Sequence, residues 1–197
     1  YDCVIGVSGG VDSTYLIYKA TELGLRPLIV HYDNGWDSEL AVINIENIVK
    51  KLDLDLITYV NDWHEFKDIQ LAFLKASVLD IELITDQAIL AVLYNTAIQY
   101  KIKYILYGTN ITTEAILPKS WYHWKIDLLN ITGIHKKFGT LPIKTYPQLG
   151  FFKHYFITKF IKIESVHLLN YLNYNKNKAK ETIVKELNWR DYGGKHY

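Results

Sequence analysis

Ser8-Gly9-Gly10-Val11-Asp12-Ser13 lies between the apolar stretch Cys3-Val4-Ile5-Gly6-Val7 and the helix-like run Thr14-Tyr15-Leu16-Ile17-Tyr18-Lys19-Ala20. The order is buried strand, small-residue loop, helix start. Such a loop can wrap a pyrophosphate. Its glycines let backbone N–H groups approach closely, its serines add hydroxyl donors, and a helix N-terminus favours the anion. Ser8, Gly9, Gly10, Val11, Asp12 and Ser13 are therefore candidate nucleotide-binding residues, and the Asp12 carboxylate can hold a magnesium ion beside the phosphates. The spacing is neither Gly-x-x-x-x-Gly-Lys-Ser/Thr nor Gly-x-Gly-x-x-Gly. A glycine-serine run alone is usually a turn; its place after an opening strand carries the reading.

Outward from the loop, Pro27–Tyr32, Leu54–Val60 and Lys103–Tyr107 read as strands. Glu39–Lys51, Asp62–Ala76 and a run from Thr85 or Asp86 to Lys101 read as helices, with Ser38 and then Thr85 or Asp86 as caps. Alternation of this kind implies parallel strands with right-handed crossovers, and ligands then bind beyond the carboxyl ends of the strands. That rule brings Ser8–Ser13, Asp33–Asp37 and Gly108–Glu114 to one crevice. Beyond Gly108 the pattern weakens. Ile111–Trp124 reads as loop and short helix, 125–137 and 147–159 as helices, 161–169 as a strand, and Asn175 caps a last helix ending at Leu187. The expected fold is α/β, a Rossmann-like parallel sheet with helices on both faces and a mostly helical C-terminal appendage. Residues 1–140 would form the nucleotide domain and 141–197 the appendage packed on it, with the seam in Thr140–Gly150.

The chain has 197 residues, 49% hydrophobic and 22% charged, which suits a globular domain with a sizeable core. A net charge of +1 gives no general pull toward nucleic acid or an anionic membrane. The single cysteine, Cys3, lies in the first strand and reads as core, so no disulfide framework is expected. No apolar run of ~18 residues and no signal peptide is visible, so the expectation is a cytoplasmic chain with no membrane partner and no nucleic acid partner. The absence of methionine and the opening directly on a strand suggest a fragment of a longer protein.

Other residues carry candidate chemistry. Backbone groups at Val30, His31 and Tyr32 can meet an adenine edge, and Asp33 and Asn34 a ribose or substrate, although Asp-Asn-Gly is also ordinary turn chemistry. Gly108 permits close approach and Thr109 can donate to an α-phosphate; Asn110 and Glu114 continue that loop toward substrate, with helix capping as the plain alternative. Asp86 is a candidate to orient magnesium or the acceptor. Lys119 can neutralise a leaving pyrophosphate, and Trp121 can stack on a sugar face. His64-Glu65 lacks a second histidine four residues on, where Asp68 stands, so it is no zinc motif.

The loop resembles the pyrophosphate loop of the ATP pyrophosphatases, the PP-loop superfamily. More of the chain is similar to one family within it, the N-acetyl sugar amidotransferases. The resemblance rests on residues 1–13, on His31-Tyr32-Asp33-Asn34-Gly35-Trp36, on Phe73-Leu74-Lys75-Ala76-Ser77 and on Gly108-Thr109-Asn110. Ile134-His135-Lys136-Lys137-Phe138-Gly139-Thr140 and the closing Trp189 to Tyr197 extend it. It implies an enzyme that uses ATP and Mg2+ to turn the acetamido group of a nucleotide-activated sugar into an acetamidino group, in bacterial surface-polysaccharide (lipopolysaccharide O-antigen) or flagellar-glycan biosynthesis. Ammonia would come from a glutaminase with a channel-forming partner, the two resembling the subunits of imidazole glycerol phosphate synthase. The family's N-terminal segment with cysteine pairs is missing here, which leaves Zn2+ open; a homo-oligomer is also left open. Two rival readings stand beside it. One is a tRNA-thiolating or other RNA-modifying enzyme of the same ATP-cleaving class, disfavoured by a net charge of only +1 and a single cysteine. The other is a non-catalytic adenine-nucleotide-binding module.

Overall fold

In the computed structural model, residues 1–111, 124–191 and 193 are described. Five parallel strands form one sheet in the order β3-β2-β1-β4-β5, with β1 at Cys3–Gly6, β2 at Pro27–Asp33, β3 at Leu56–Val60, β4 at Tyr104–Leu106 and β5 at Glu164–Val166. The strands read as continuous apolar runs because both faces are covered. Val4, Leu28, Val30, Tyr32 and Ile105 pack on one face with α3 (Trp63–Lys75) and α4 (Leu83–Gln99). Cys3, Ile5, Val7, Ile29 and Leu106 pack on the other with α1 (Val11–Glu22), α2 (Glu39–Leu52) and α7 (Lys176–Leu187). The two-residue period of a strand produces this sorting. The fully buried Leu16, Ile17 and Ile183 each contribute roughly 1.5–3 kcal/mol to holding α1 and α7 on the sheet. Burial pushes the Cys3 thiol up to about 12, as befits a core residue.

From β1 the chain steps through α1 and α2 to the edge strand β3, then crosses back by α3 and α4 on the opposite face to β4. Direction and face reverse together, which keeps every crossover the same hand. The reversal falls between β1 and β4, so the sheet has its switch point there, beside the Ser8–Ser13 loop.

Ser38 and Asn175 cap their helices as the sequence predicts, accepting from Ala41 and Lys178 N–H groups, and Asp62, expected inside its helix, is instead an N-cap that accepts from Glu65 N–H. α4 differs. It begins at Leu83 with Glu82 in the cap position and no side-chain cap, so Thr85 and Asp86 lie inside its first turn. Packing sets that start: Leu83 and Ile84 are buried at 2% and 0% exposure, and the helix extends upstream to carry them. The expected helix over 147–159 is α6 at Phe151–Phe156, continued by a π-helical turn at Ile157–Ile161 that Lys162 ends with φ 60°. The expected strand over 161–169 is reduced to Glu164–Val166, followed by a 3-10 turn at Leu168–Tyr171. Residues beyond 140 thus supply both the edge strand β5 and the helix α7 that lies against α1.

Before β5, α5 (Leu128–Phe138) leads into a loop pinned to α3 by two carboxylates. Asp68 accepts from the Thr140 and Leu141 N–H groups, the Thr140 hydroxyl and His135. Glu65 accepts from the Thr145 and Tyr146 N–H groups and the Thr145 hydroxyl. Burial opposes charge on Asp68, but the Leu141 N–H, both Thr140 donors and His135 outweigh it and hold the carboxyl well below the usual range. Glu65 is lowered in the same way, burial being outweighed by backbone donors of Thr145, Tyr146 and Lys144. Tyr146, placed by this clasp, donates its hydroxyl to Ile84 O at 2.6 Å and so ties the loop to α4.

Candidate active site

The loop after β1 closes on itself through its serines. Ser13 Oγ lies 3.3 Å from Ser8 Oγ and donates to Gly10 O at 3.3 Å, while the Gly10 N–H lies 3.4 Å from Ser8 Oγ. Gly9 has φ +75°, and a Cβ there would stand 2.7 Å from Ala41 O in the first turn of α2. Glycine is needed twice over, for conformation and for space. Gly10 is the N-cap of α1 and brings no side chain, so no capping group covers the first-turn N–H donors of α1. A partial positive charge from the helix axis is focused at the same point.

Gly108, after β4, sits against this turn: a Cβ on it would lie 3.1 Å from Ser13 N and 3.3 Å from Asp12 C. The close fit brings Thr109 into the cleft, where its Oγ1 is 2.7 Å from His167 Nδ1. Asp12 receives a hydrogen bond from the Tyr174 hydroxyl, and its other carboxylate oxygen lies 3.9 Å from Lys176 Nζ. Together these elements border a cleft of about 1130 Å³.

At the far side of β1, Val7 N–H donates to Val30 O at 2.9 Å. Tyr32 lies two residues further along β2, so its backbone N–H and C=O point to the same side, past the end of β1. His31 is buried, with Nδ1 3.0 Å from Val7 O and Nε2 3.3 Å from Asp37 Oδ2. Burial pulls its pKa down, yet the Asp37 carboxylate and Val7 carbonyl outweigh that and raise it. Trp36 is held over the mouth by Gln70, which accepts from its indole N–H at 3.0 Å, and by edge-to-face contact with Trp63.

The structure therefore brings together Ser8, Gly10, Val11, Asp12, Ser13, Val30, His31, Tyr32, Asn34, Gly108 and Thr109 on the cleft wall, with Gly9 supporting the turn from behind. It does not bring Asp33, Asp86 or Asn110 there. Asp33 spends Oδ1 on the Gly35 N–H at 2.8 Å, which is turn chemistry. Asp86 pairs with Lys125 at 2.8 Å and is not among the residues that line the cleft. Asn110 is 4% exposed. Glu114, Lys119 and Trp121 lie outside the described residues.

Sequence reasoning missed the contribution of α7 and the segment after it. Lys176, Asn177, Lys180, Trp189 and Asp191 all line the cleft. Lys180 pairs with Asp191 at 2.5 Å. The available signal was the pair of lysines four residues apart just after an Asn cap, which places both on one helical face. Nothing in that spacing says which partner the face meets.

Among the described residues no group of three or more His, Cys, Asp or Glu side chains could hold a metal ion. Magnesium at a nucleotide usually takes one or two carboxylates, with phosphate oxygens and water completing its shell, and Asp12 fits that pattern. No helix among the described residues is long and apolar enough to cross a membrane.

No family profile matches the chain, and no curated protein sequence does. Solved structures with similar folds include a predicted subunit of tRNA methyltransferase from Methanocaldococcus jannaschii, with TM-score 0.47 and 16% identity over 92% of this chain and 76% of that one. NMN synthetase from Francisella tularensis matches with TM-score 0.45 and 19% identity over 83% of this chain. The match spans 62% of the length of the synthetase.

Proposed function

We propose that this chain is an ATP-cleaving amidotransferase of the PP-loop type, acting on the acetamido group of a nucleotide-activated sugar. One observation carries the reading. At the switch point of the sheet, an uncapped helix N-terminus, two serine hydroxyls and the lysines of α7 converge on one cleft, across from Thr109. This is a donor set for a polyanion.

In this reading the Ser8–Ser13 turn holds the β and γ phosphates through backbone N–H and hydroxyl donors. Lys176 and Lys180 offset charge on the pyrophosphate as it leaves. Thr109 donates to the α-phosphate. The open backbone of Tyr32 meets the adenine edge. Asp12 would hold magnesium, which would neutralise phosphate charge when bound. The acetamido oxygen attacks the α-phosphorus and pyrophosphate departs, leaving an O-adenylyl imidate. Ammonia, supplied by a separate glutaminase partner, adds to its carbon; AMP leaves with the oxygen and an amidine remains. No protein nucleophile is required, because the chain supplies alignment and charge stabilisation. The sugar part of the reading draws on the resemblance of the segments around His31, Ile134 and Trp189.

The test is pyrophosphate release from ATP with a UDP-linked or CMP-linked acetamido sugar and ammonia, followed by mass spectrometry of the sugar. The expected product is lighter by the difference between O and NH. Release that requires tRNA instead of the sugar would overturn the substrate assignment, and nucleotide binding without any release would overturn the enzymatic one.

A further inference from the structure

We propose that Trp189 is a positioning residue for the phosphate turn, so that the stretch from Tyr174 to Asp191 is a working part of the nucleotide site. The inference rests on the reading of Ser8–Ser13 as a phosphate cradle. Trp189 is 2% exposed, and its indole N–H donates to the carbonyl of Gly9 at 2.8 Å. Gly9 is the residue whose φ of +75° turns the chain. A glycine has little intrinsic preference for one orientation of its peptide plane, so an outside contact must choose it.

The peptide joining Gly9 and Gly10 is trans, as is every peptide bond among the described residues. A trans peptide directs its C=O and N–H oppositely. Tying the Gly9 carbonyl to Trp189 therefore turns the Gly10 N–H the other way, toward Ser8 Oγ and the cradle.

Trp189 is itself anchored. Arg190 N–H donates to Asn44 Oδ1 at 2.8 Å, and Asn44 Nδ2 donates back to Arg190 O at 2.9 Å, with Asn44 fully buried on α2. Asn44 lies three residues after Ala41, whose carbonyl walls in Gly9. One face of α2 thus braces the glycine directly and braces the tryptophan that aims it. The Tyr174 hydroxyl on Asp12 fastens the other end of the same stretch to the turn.

The experiment is calorimetric titration of inorganic pyrophosphate and of ATP with magnesium into the chain and its variants, each melted separately without ligand. Trp189→Phe keeps the ring and removes the donor; it should weaken pyrophosphate about tenfold. Asn44→Ala, which touches neither loop nor cleft, should weaken it about threefold by loosening the anchor. Trp124→Phe, remote from the turn, should leave affinity unchanged. A purely structural tryptophan would lower the melting temperature and leave affinity intact, so a folded Trp189→Phe with wild-type affinity overturns the proposal. If Trp189→Phe does not fold, unchanged affinity in folded Asn44→Ala overturns it instead. Should the wild-type chain bind neither pyrophosphate nor ATP, the cradle reading fails first, a result distinct from equal binding by wild type and variant.

Discussion

Two loops in this molecule gather backbone N–H donors, and they do so in opposite ways. The 140–146 loop closes on anions the protein carries itself, the carboxylates of Glu65 and Asp68. The Ser8–Ser13 turn has no internal carboxylate facing its N–H groups, and the helix behind it has no capping side chain. Its supports are a tryptophan and a glycine-sized gap on the carbonyl side and only long contacts to its own serine hydroxyls, at 3.4 Å, on the donor side. A loop whose donors close on its own carboxylates is architecture, whereas one with no capping carboxylate has the geometry that the proposed function asks of a phosphate site.

The largest effect should come from Gly9→Ala. Its methyl group meets the Ala41 carbonyl, and the backbone must hold a positive φ. Pyrophosphate affinity should fall by about a hundredfold or more, read by calorimetry, because the turn cannot keep its shape. Breaking the other loop should act on stability instead. Asp68→Asn removes a buried carboxylate that serves several donors and should cost about 2–3 kcal/mol in urea unfolding, with pyrophosphate affinity largely kept.

Acid should separate the loops next. Glu65 and Asp68 are held below their ordinary range in the folded chain, so across that window the unfolded chain binds more protons. Their contribution is full above about pH 4 and is lost as pH falls through the lowered folded values. Urea midpoints measured down that range should fall more gently for Asp68→Asn than for the wild type. The smallest effect belongs to Lys176→Gln. Its side chain is 56% exposed, so pyrophosphate should weaken about threefold at low salt, and the difference should vanish at high salt.

The strands, the order of elements and the turn between β1 and α1 were legible in the sequence because each has a local cause. Apolar runs mark the strands, and Ser38 and Asn175 mark helix starts through their own side chains. What was not legible depends on long-range packing. Thr85 and Asp86 look like caps, yet burial of Leu83 and Ile84 carries α4 past them, and Asp86 turns to Lys125. Glu65 and Asp68 have the spacing of an ordinary solvated helix face, and only the distant 140–146 loop makes them buried anchors. Lys176 and Lys180 share a helical face by spacing alone, but their place at the cleft follows from α7 lying on α1.

Position 108 joins these scales. Its missing side chain lets the stretch after β4 rest on the amino end of α1, where a methyl group would crowd Ser13 N at 3.1 Å. Two chain segments nearly a hundred positions apart therefore share a single seat. Any shift in one is handed to the other, so contacts with the two ends of a bound triphosphate would tighten or loosen as one unit.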